Sequence, residues 1–391
     1  MRIAQRQRAF RQGPREWKDR SPKSDVKSAL VSTGLGRVLR GFESFTDSLF
    51  KALRRFAPDV DVTLFQGGGQ CGERRVVVPN LHRDDVPARW FGFENAMLLE
   101  QRSFALCLYP LLRGGKYDIV HYNELCMGSA LFHLRRHFGG RFKLLYCNGA
   151  PSPPIHYHHR CDFAQMLTAP MYEEAVKFGM SRDRLALIPY GVDAGRFSPM
   201  ARAKRLETRS ELGIADSAFI ILSVAAIKKE HKRIDYLIEE VSQLNKDAWL
   251  VVAGQPTHET AELRSLAEEK MSGRWRFLSW PYERLHLLYG AADVFALASL
   301  HEAFGMVVVE ALASGLPVVL DDNPTFRWIA GDSGVCFIDM KRPGALAETL
   351  RALMPSLGSE TNGHGRQEVL VRFDWNALAP EYVSLYQRIA E

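Results

Sequence analysis

Short apolar runs alternate along the chain with stretches of helical periodicity. After the first run, apolar residues recur at near-helical spacing at Val38, Phe42, Phe45, Leu49 and Leu53. Strands that alternate with helices form parallel sheets covered by helices on both faces, so the pattern predicts an α/β fold. Strands are expected near residues 29–31, 60–65, 117–122, 143–147, 184–189, 219–224, 249–253, 276–278, 294–297, 317–320 and 335–338.

The distribution of these elements predicts two domains, because 391 residues are too many for one ordinary core. The predicted domains are residues 28–200 and 214–375, the polar run 201–213 is the predicted linker, and 376–391 is a final amphipathic helix. Residues 1–27 carry nine Lys and Arg and three Asp and Glu. This composition predicts a basic, disordered tail, with a tether to anionic lipid as the alternative.

Two glutamates stand out in the stretch 296–320, at the spacing Glu302-x7-Glu310. A helix is predicted over residues 304–313, and Gly315 ends it. Glu302 then lies just before a helix N-terminus, whose free N–H groups suit a phosphate. A carboxylate accepts hydrogen bonds from two neighbouring hydroxyls, so the pair could hold two sugar rings with a diphosphate between them. The alternative is a solvated loop glutamate and a helix-surface glutamate.

The wider sequence HEAFGMVVVEALASGLPVV resembles the donor-site signature of GT-B retaining glycosyltransferases of the family-4 type, the glycosyl transferases group 1. Ala303 replaces the usual Gly after the first Glu. IPYGVDAGRFSP resembles the segment that ends the N-terminal domain in that family. The resemblance covers about residues 28–391 and implies two Rossmann-like, doubly wound parallel-sheet domains facing a central cleft. Residues 28–200 would be the acceptor side, 214–375 the nucleotide-sugar side, and 376–391 a helix that crosses back to the N-terminal domain.

The resemblance also implies the reaction. A hexose-type unit would pass from a UDP- or GDP-sugar to a hydroxyl of a glycan or lipid-linked acceptor, with retention and without a metal, in envelope or exopolysaccharide synthesis. Glu302 would orient the sugar hydroxyls and Glu310 the ribose. Phe304, Gly305 and Met306 would present the helix N-terminus to the diphosphate.

A basic loop follows the strand predicted at 219–224. Cations at a strand's carboxyl end, before a helix, suit a diphosphate, although a solvated basic loop is the alternative. Lys232 matches a family lysine, and Lys228 or Lys229 would replace a family arginine. Further along, Gly254 matches a glycine-rich turn, and the loop with Pro281 and Tyr282 resembles the one that holds the nucleobase.

In the first domain, Gly34 and Gly36 match the glycine-rich loop that the family turns toward the donor. Asn148 stands where many members place a histidine that reaches the transferred sugar. An amide can bond a hydroxyl but cannot take up a proton. With Asn148 limited to bonding a sugar hydroxyl, the expected catalytic residues are Glu302, Lys232 and Asn148.

Other readings of the sequence are weaker. His156, His158 and His159, near Cys147 and Cys161, suggest zinc, but their spacing fits no known finger or H-E-x-x-H helix, and an irregular loop is the alternative. Asp59-x-Asp61 matches the metal-binding motif of the GT-A fold, yet it precedes a strand here. The tail lacks the interleaved aromatics of a nucleic-acid site. Rival functions are an inverting transferase, a sugar-nucleotide epimerase, or a catalytically weak nucleotide-sugar-binding partner of another transferase.

The composition also predicts where in the cell the protein is found. No apolar run is long enough for a membrane span, and the basic N-terminus lacks the apolar region of a secretory signal. The six cysteines are scattered without a CxxC motif. These features predict a cytoplasmic protein, with peripheral contact at the inner face of the membrane as a further expectation.

Overall fold

The computed structural model divides into two α/β units. The first comprises Met1–Pro189 with Leu378–Glu391, and the second comprises Tyr190–Ala377. The structure describes residues 26–38, 41–86, 90, 92–150, 157–331, 334–355 and 363–391. Most of the predicted tail, residues 1–25, and His156 of the zinc alternative lie outside these ranges.

The first unit is built on a seven-stranded parallel sheet in the order β3-β2-β1-β4-β5-β6-β7. Its central strands are buried, which explains why they read as continuous apolar runs. The strands are β1 (Lys27–Ser32), β2 (Asp61–Gln66), β3 (Arg75–Val77), β4 (Ile119–Tyr122), β5 (Lys143–Cys147), β6 (Phe163–Met166) and β7 (Leu185–Leu187). The helices between them are α1 (Gly41–Phe56), α2 (Phe93–Gly114), α3 (Leu125–Phe138) and α4 (Ala169–Lys177).

The second unit is built on a six-stranded parallel sheet in the order β10-β9-β8-β11-β12-β13. The strands are β8 (Phe219–Val224), β9 (Ala248–Ala253), β10 (Trp275–Leu278), β11 (Val294–Leu297), β12 (Val318–Asp321) and β13 (Val335–Ile338). The helices are α5 (Arg202–Glu211), α6 (Ile234–Ser242), α7 (Thr260–Met271), α8 (Leu285–Ala291), α9 (Met306–Ala313), α10 (Pro324–Ala330), α11 (Ala345–Leu353) and α12 (Gly363–Phe373).

The last helix, α13 (Trp375–Ala390), contributes Leu378 onward to the first unit. The buried hydroxyl of Tyr382 donates to the Pro189 carbonyl oxygen at 3.0 Å and accepts from Gln165 Nε2 at 2.8 Å. The Tyr386 hydroxyl lies 2.8 Å from His121 Nδ1. These contacts explain the apolar periodicity of the C-terminus, because one face of the helix covers the first sheet.

The predicted linker, residues 201–213, is largely helical. It contains helix α5, and the side chain of Arg209 in that helix is buried. Its guanidinium donates to the Ala291 carbonyl oxygen at 3.0 Å and pairs with Asp293 at 2.7 Å. Arginine carries five donors on an apolar stem, so a charged sequence can still be anchored in a core. None of the described helices is long and apolar enough to cross a bilayer.

Candidate functional site

Two adjacent strands of the second unit carry the central pair of residues at their carboxyl ends. β8 pairs in parallel with β11. The loop after β8 holds Lys232, and the loop after β11 holds Glu302. Lys232 Nζ donates to Glu302 Oε1 in an ion pair whose side chains are 20% and 14% exposed. The topology therefore brings together two residues that lie seventy positions apart in sequence.

The charge state of Glu302 follows from these neighbours. Burial raises the pKa of the carboxyl, but the nearby His231 imidazole and the charge and hydrogen bond of Lys232 outweigh burial and lower the pKa to about 2. His231 Nε2 lies 3.7 Å from Glu302 Oε1. The carboxylate is therefore ionised at neutral pH, and the pair is a genuine salt bridge.

The backbone around Lys232 has an uncommon conformation. His231 and Arg233 have φ angles of 68° and 52°, in the left-handed region that non-glycine residues rarely occupy. The Arg233 guanidinium donates to the Met340 carbonyl oxygen at 2.7 Å, which anchors the start of α6. Backbone strain of this kind persists only where surrounding contacts impose it, and it is concentrated at functional sites.

Glu310 lies in α9 and is 3% exposed, so it is not the helix-surface glutamate of the alternative interpretation. Tyr289 donates to its Oε2 at 2.8 Å, and Tyr282 donates to its Oε1 at 3.3 Å. Burial raises the pKa of Glu310 to about 7, although both tyrosine bonds and the charge of Arg196 act in the opposite direction. Glu310 is thus a buried acceptor with two hydroxyl donors.

Arg196 is a site residue that the sequence analysis did not identify. Its guanidinium lies over the Tyr282 ring, 4.6 Å from the centroid, and donates to the Tyr282 carbonyl oxygen. The segment IPYGVDAGRFSP is therefore connected through Tyr282 to Glu310. The only sequence signal was the presence of Arg196 in that segment.

The helix N-terminus near the pair is displaced from its predicted position. α9 begins at Met306 rather than Phe304, because Gly305 has a left-handed φ of 76° and precedes the first helical turn. The Phe304 ring is buried between Tyr190 and Phe373, with centroid distances of 5.4 and 5.6 Å. Phe304 can therefore offer a ligand only its backbone, whereas Met306 opens the turn whose N–H groups lack helical acceptors.

The remaining candidates of the second unit are Lys228, Lys229, Gly254 and Pro281. Lys229 is directed to α7, where its ammonium pairs with Glu262 and its pKa is raised by that hydrogen bond. Lys228 has no carboxylate partner within the described ranges and is the better counterpart of the family arginine. Gly254 has a packing role, since a Cβ there would lie 1.8 Å from the Ala225 carbonyl oxygen. Pro281 is exposed beside Tyr282.

In the first unit, the Gly-x-Gly turn packs against a second glycine-rich loop. A Cβ at Gly36, whose φ is 87°, would lie 2.3 Å from the Gly68 carbonyl carbon. Gly34 is buried, and its carbonyl oxygen accepts from Val38 N at 2.9 Å. Just before the turn, Glu124 Oε1 accepts from both the backbone N and the hydroxyl of Thr33. These glycines therefore permit two loops to approach closely at the carboxyl edge of the sheet.

Asn148 lies in the interior of the first unit. Its side chain is fully buried, with Nδ2 3.3 Å from Met171 Sδ and Oδ1 accepting from Ala150 N at 3.2 Å. The same unit buries His121, whose pKa burial lowers to about 3. Both residues act as core polar groups in this structure. Among the described residues, no cluster of three or more His, Cys, Asp or Glu is arranged to hold a metal.

Known proteins that are similar to this chain indicate its class. The family model for glycosyl transferases group 1 matches residues 204–359. D-inositol 3-phosphate glycosyltransferase from Corynebacterium efficiens is 26% identical over 403 residues, covering 92% of each chain. GDP-mannose:cellobiosyl-diphosphopolyprenol alpha-mannosyltransferase from Komagataeibacter xylinus is 31% identical over 234 residues, which cover 57% of this chain and 56% of that protein. The matched family and these relatives support a glycosyltransferase of group 1.

The fold resembles that of a solved structure. HepE from Anabaena, solved in complex with UDP-glucose, superposes with a TM-score of 0.71 at 15% identity, covering 92% of this chain and 100% of HepE. With the two parallel-sheet units, this likeness confirms the predicted Rossmann-like, GT-B fold class.

Proposed function

We propose that the protein is a retaining glycosyltransferase that moves a hexose-type unit from a nucleotide sugar to a hydroxyl acceptor. The observation that carries the proposal is the Lys232–Glu302 ion pair at the ends of adjacent strands, in the loops next to the α9 N-terminus. One relative is named for its use of GDP-mannose, and one similar structure was solved with UDP-glucose, which supports a UDP- or GDP-sugar donor.

In this proposal the ion pair opens when the donor binds. The diphosphate takes Lys232 as its counter-cation, with Lys228 and the N–H groups at Met306 as further partners. Glu302 is then free to accept bonds from the sugar hydroxyls. The leaving diphosphate gains charge as the glycosidic bond breaks, and a fixed cation with aligned N–H groups stabilises that charge without reorganisation. These cations act where a metal would otherwise be needed, so we propose metal-independent transfer.

Glu310 is the proposed ribose acceptor. Its carboxylate already accepts two hydroxyl bonds, from Tyr282 and Tyr289. A ribose diol also donates hydrogen bonds from hydroxyl groups. If a ribose hydroxyl replaces a tyrosine hydroxyl, Glu310 still accepts the same number of hydrogen bonds. The buried carboxylate would then serve as the fixed point that orients the nucleoside.

Retention is proposed without a protein nucleophile. The acceptor oxygen attacks the anomeric carbon on the face that the phosphate is leaving, and its proton passes to the departing phosphate oxygen. One C–O bond breaks and one forms on the same face, so the configuration is kept. Glu302 does not take the proton in this proposal, because its carboxylate accepts hydrogen bonds from the sugar hydroxyls.

The proposed acceptor is a glycan or a lipid-linked glycan, in cell-envelope or exopolysaccharide synthesis. We place the enzyme in the cytoplasm, because all six cysteines are free thiols, which suits a reducing compartment.

Release of nucleoside diphosphate from a panel of UDP- and GDP-sugars, with and without candidate acceptors, tests the proposal. We expect release with at least one donor, and loss of release in Lys232→Met. Tight binding of nucleotide sugars without turnover would favour the non-enzymatic partner. Conversion of the donor into an epimer would favour the epimerase.

A further inference from the structure

The guanidinium of Arg366, in α12, bonds two separate parts of the second unit. It donates to the carbonyl oxygen of Ala313, the last residue of α9. It also donates to the Phe197 carbonyl oxygen at 3.0 Å and to the Ala194 carbonyl oxygen at 3.3 Å. The side chain therefore connects the end of α9 to residues 194–197.

An arginine suits the end of α9 for two reasons. The carbonyl groups of the last helical turn have no partner within the helix, and a cation is favourable beside the partial negative charge that they carry. The guanidinium also carries five donors in a fixed planar arrangement, so it can reach carbonyl oxygens of two segments at once. A lysine would keep the charge but not this geometry.

Helix α12 packs against α9 and contacts it at both ends. Arg366, near the start of α12, bonds the last residue of α9. Phe373, the last residue of α12, packs against Phe304, two residues before α9 begins, with a centroid distance of 5.6 Å. The two helices are therefore antiparallel, and Arg366 projects from a packed helix rather than from a loop.

Residues 193–197 form a turn that is closed by its own hydrogen bonds. Asp193 Oδ1 accepts from Gly195 N and Arg196 N, both at 3.1 Å, and Phe197 N donates to the Asp193 carbonyl oxygen at 2.9 Å. These local bonds set the shape of the turn, but they do not connect it to α9. The bonds from Arg366 supply that connection.

The same turn contacts both hydroxyl donors of Glu310. The Phe197 ring packs against the rings of Tyr289 and Tyr282, with centroid distances of 5.7 and 6.3 Å. Both tyrosines donate to the Glu310 carboxylate. Because Phe197 is only 1% exposed, its ring cannot move without displacing its neighbours. A shift of the turn relative to α9 would therefore disturb the hydrogen bonds of Glu310.

We propose that Arg366 is a positioning residue for the nucleoside end of the donor site. It holds residues 194–197 against the end of α9, and so keeps the two tyrosine hydroxyls aligned with Glu310. Arg366 acts through these groups and does not itself contact the nucleotide. The inference rests on the proposed function, because that proposal assigns the ribose to Glu310.

Titration calorimetry of the full chain with UDP and with GDP tests the inference. Arg366→Met keeps an unbranched side chain but loses every donor, so affinity for the nucleotide that the wild type binds should fall several-fold. Inorganic pyrophosphate has no nucleoside and should bind wild type and variant equally, at the Lys232 end of the site. In turnover, KM for the donor should rise while kcat changes little, because the nucleoside is held alike in the ground state and the transition state.

The matched control is Arg274→Met. The Arg274 guanidinium also donates to two backbone carbonyl oxygens, those of Asn245 at 3.1 Å and Ala248 at 2.9 Å, but at the start of β9 and so at the opposite edge of the sheet. This variant should keep wild-type nucleotide affinity. Arg366→Lys keeps only the charge, so it should recover part of the affinity, and it carries the same test if Arg366→Met does not fold. Circular dichroism melting verifies the fold of each variant.

A double-mutant cycle with Arg196→Ala locates the effect. If Arg366 acts through residues 194–197, Arg366→Met should cost less nucleotide affinity in the Arg196→Ala background than in the wild type. Equal costs in the two backgrounds would overturn the inference. So would unchanged nucleotide affinity in Arg366→Met, an equal loss of pyrophosphate affinity, or full recovery in Arg366→Lys. A wild type that binds neither UDP nor GDP would instead overturn the proposed function, and this inference with it.

Discussion

Lys232 Nζ and Glu302 Oε1 form a direct ion pair at the carboxyl ends of two adjacent parallel strands. The sequence suggested separate tasks for these residues, with the lysine on the phosphate and the glutamate on the sugar. The contact means that neither residue can act on a donor without changing the other. The energetics of donor binding should therefore include the opening of this pair.

The first prediction separates the two residues by ligand. Lys232→Met should weaken binding of the donor and of free nucleoside diphosphate alike, by about 1–3 kcal/mol, because a charged partner of the diphosphate is lost. Glu302→Gln should keep or increase affinity for free nucleoside diphosphate, because Lys232 no longer has to leave a carboxylate. The same variant should lower kcat and kcat/KM together. Titration calorimetry and initial rates check both. If Glu302→Gln loses diphosphate affinity as severely as Lys232→Met, the assignment is wrong.

A second prediction concerns the raised pKa of Glu310. The folded-state pKa is about 7, against an ordinary value of 4.5, so the folded protein binds the proton more tightly than the unfolded chain. The wild type should therefore lose stability relative to Glu310→Gln as pH rises from about 4.5 to 7, and the difference should level off above that window. Chemical denaturation of both proteins across this range measures it. A difference that stays constant with pH would show that Glu310 titrates normally.

Arg196 provides a third prediction, as a residue that positions Tyr282 rather than touching the substrate. Arg196→Ala should weaken nucleotide binding several-fold. It should also move the titration of Glu310 to higher pH, because the charge of Arg196 lowers that pKa. Arg196→Lys keeps the charge but lacks the planar group that stacks on Tyr282, so it should restore the titration and only part of the affinity. The pH profile of nucleotide affinity is the readout. Unchanged profiles in both variants would limit Arg196 to a structural role.

The fourth prediction is that turnover persists in excess chelator. Lys232 and the α9 N-terminus are the proposed counter-charges of the diphosphate, so no divalent cation is required. Rates measured in EDTA, and after addition of magnesium or manganese, test this. If EDTA abolishes activity and a metal restores it, the metal-binding interpretation of Asp59 and Asp61 would be favoured, although Asp61 is already paired with Arg74.

The central strands could be predicted because parallel strands buried on both faces are continuous apolar runs. The predicted bounds of Lys143–Cys147, Phe219–Val224 and Val294–Leu297 match the structure. β3 (Arg75–Val77) was missed, because it is a half-buried strand of three residues at the sheet edge. The burial of Arg209 in the predicted linker could not be predicted, because the residues around it in the sequence are mostly polar.

The site could be predicted only in part, for similar reasons. Sequence motifs single out Glu302, Glu310 and Lys232, but not the contact between Lys232 and Glu302, because the two residues lie in loops seventy positions apart. Tyr289 lies in no motif, and its bond to Glu310 arises from the packing of α8 against α9. Lys229 and Asn148 stand where the family pattern has an arginine and a histidine, and in the fold their side chains have partners within their own units.

The stereochemistry of transfer tests the central claim most directly. Proton NMR follows the anomeric signal while the wild type consumes an active α-linked nucleotide sugar with its acceptor in EDTA, with Glu302→Gln as the control. The account predicts that the first product carries the α configuration, and that Glu302→Gln forms the same product more slowly. A first product with the β configuration would contradict a retaining transfer at the Lys232–Glu302 site.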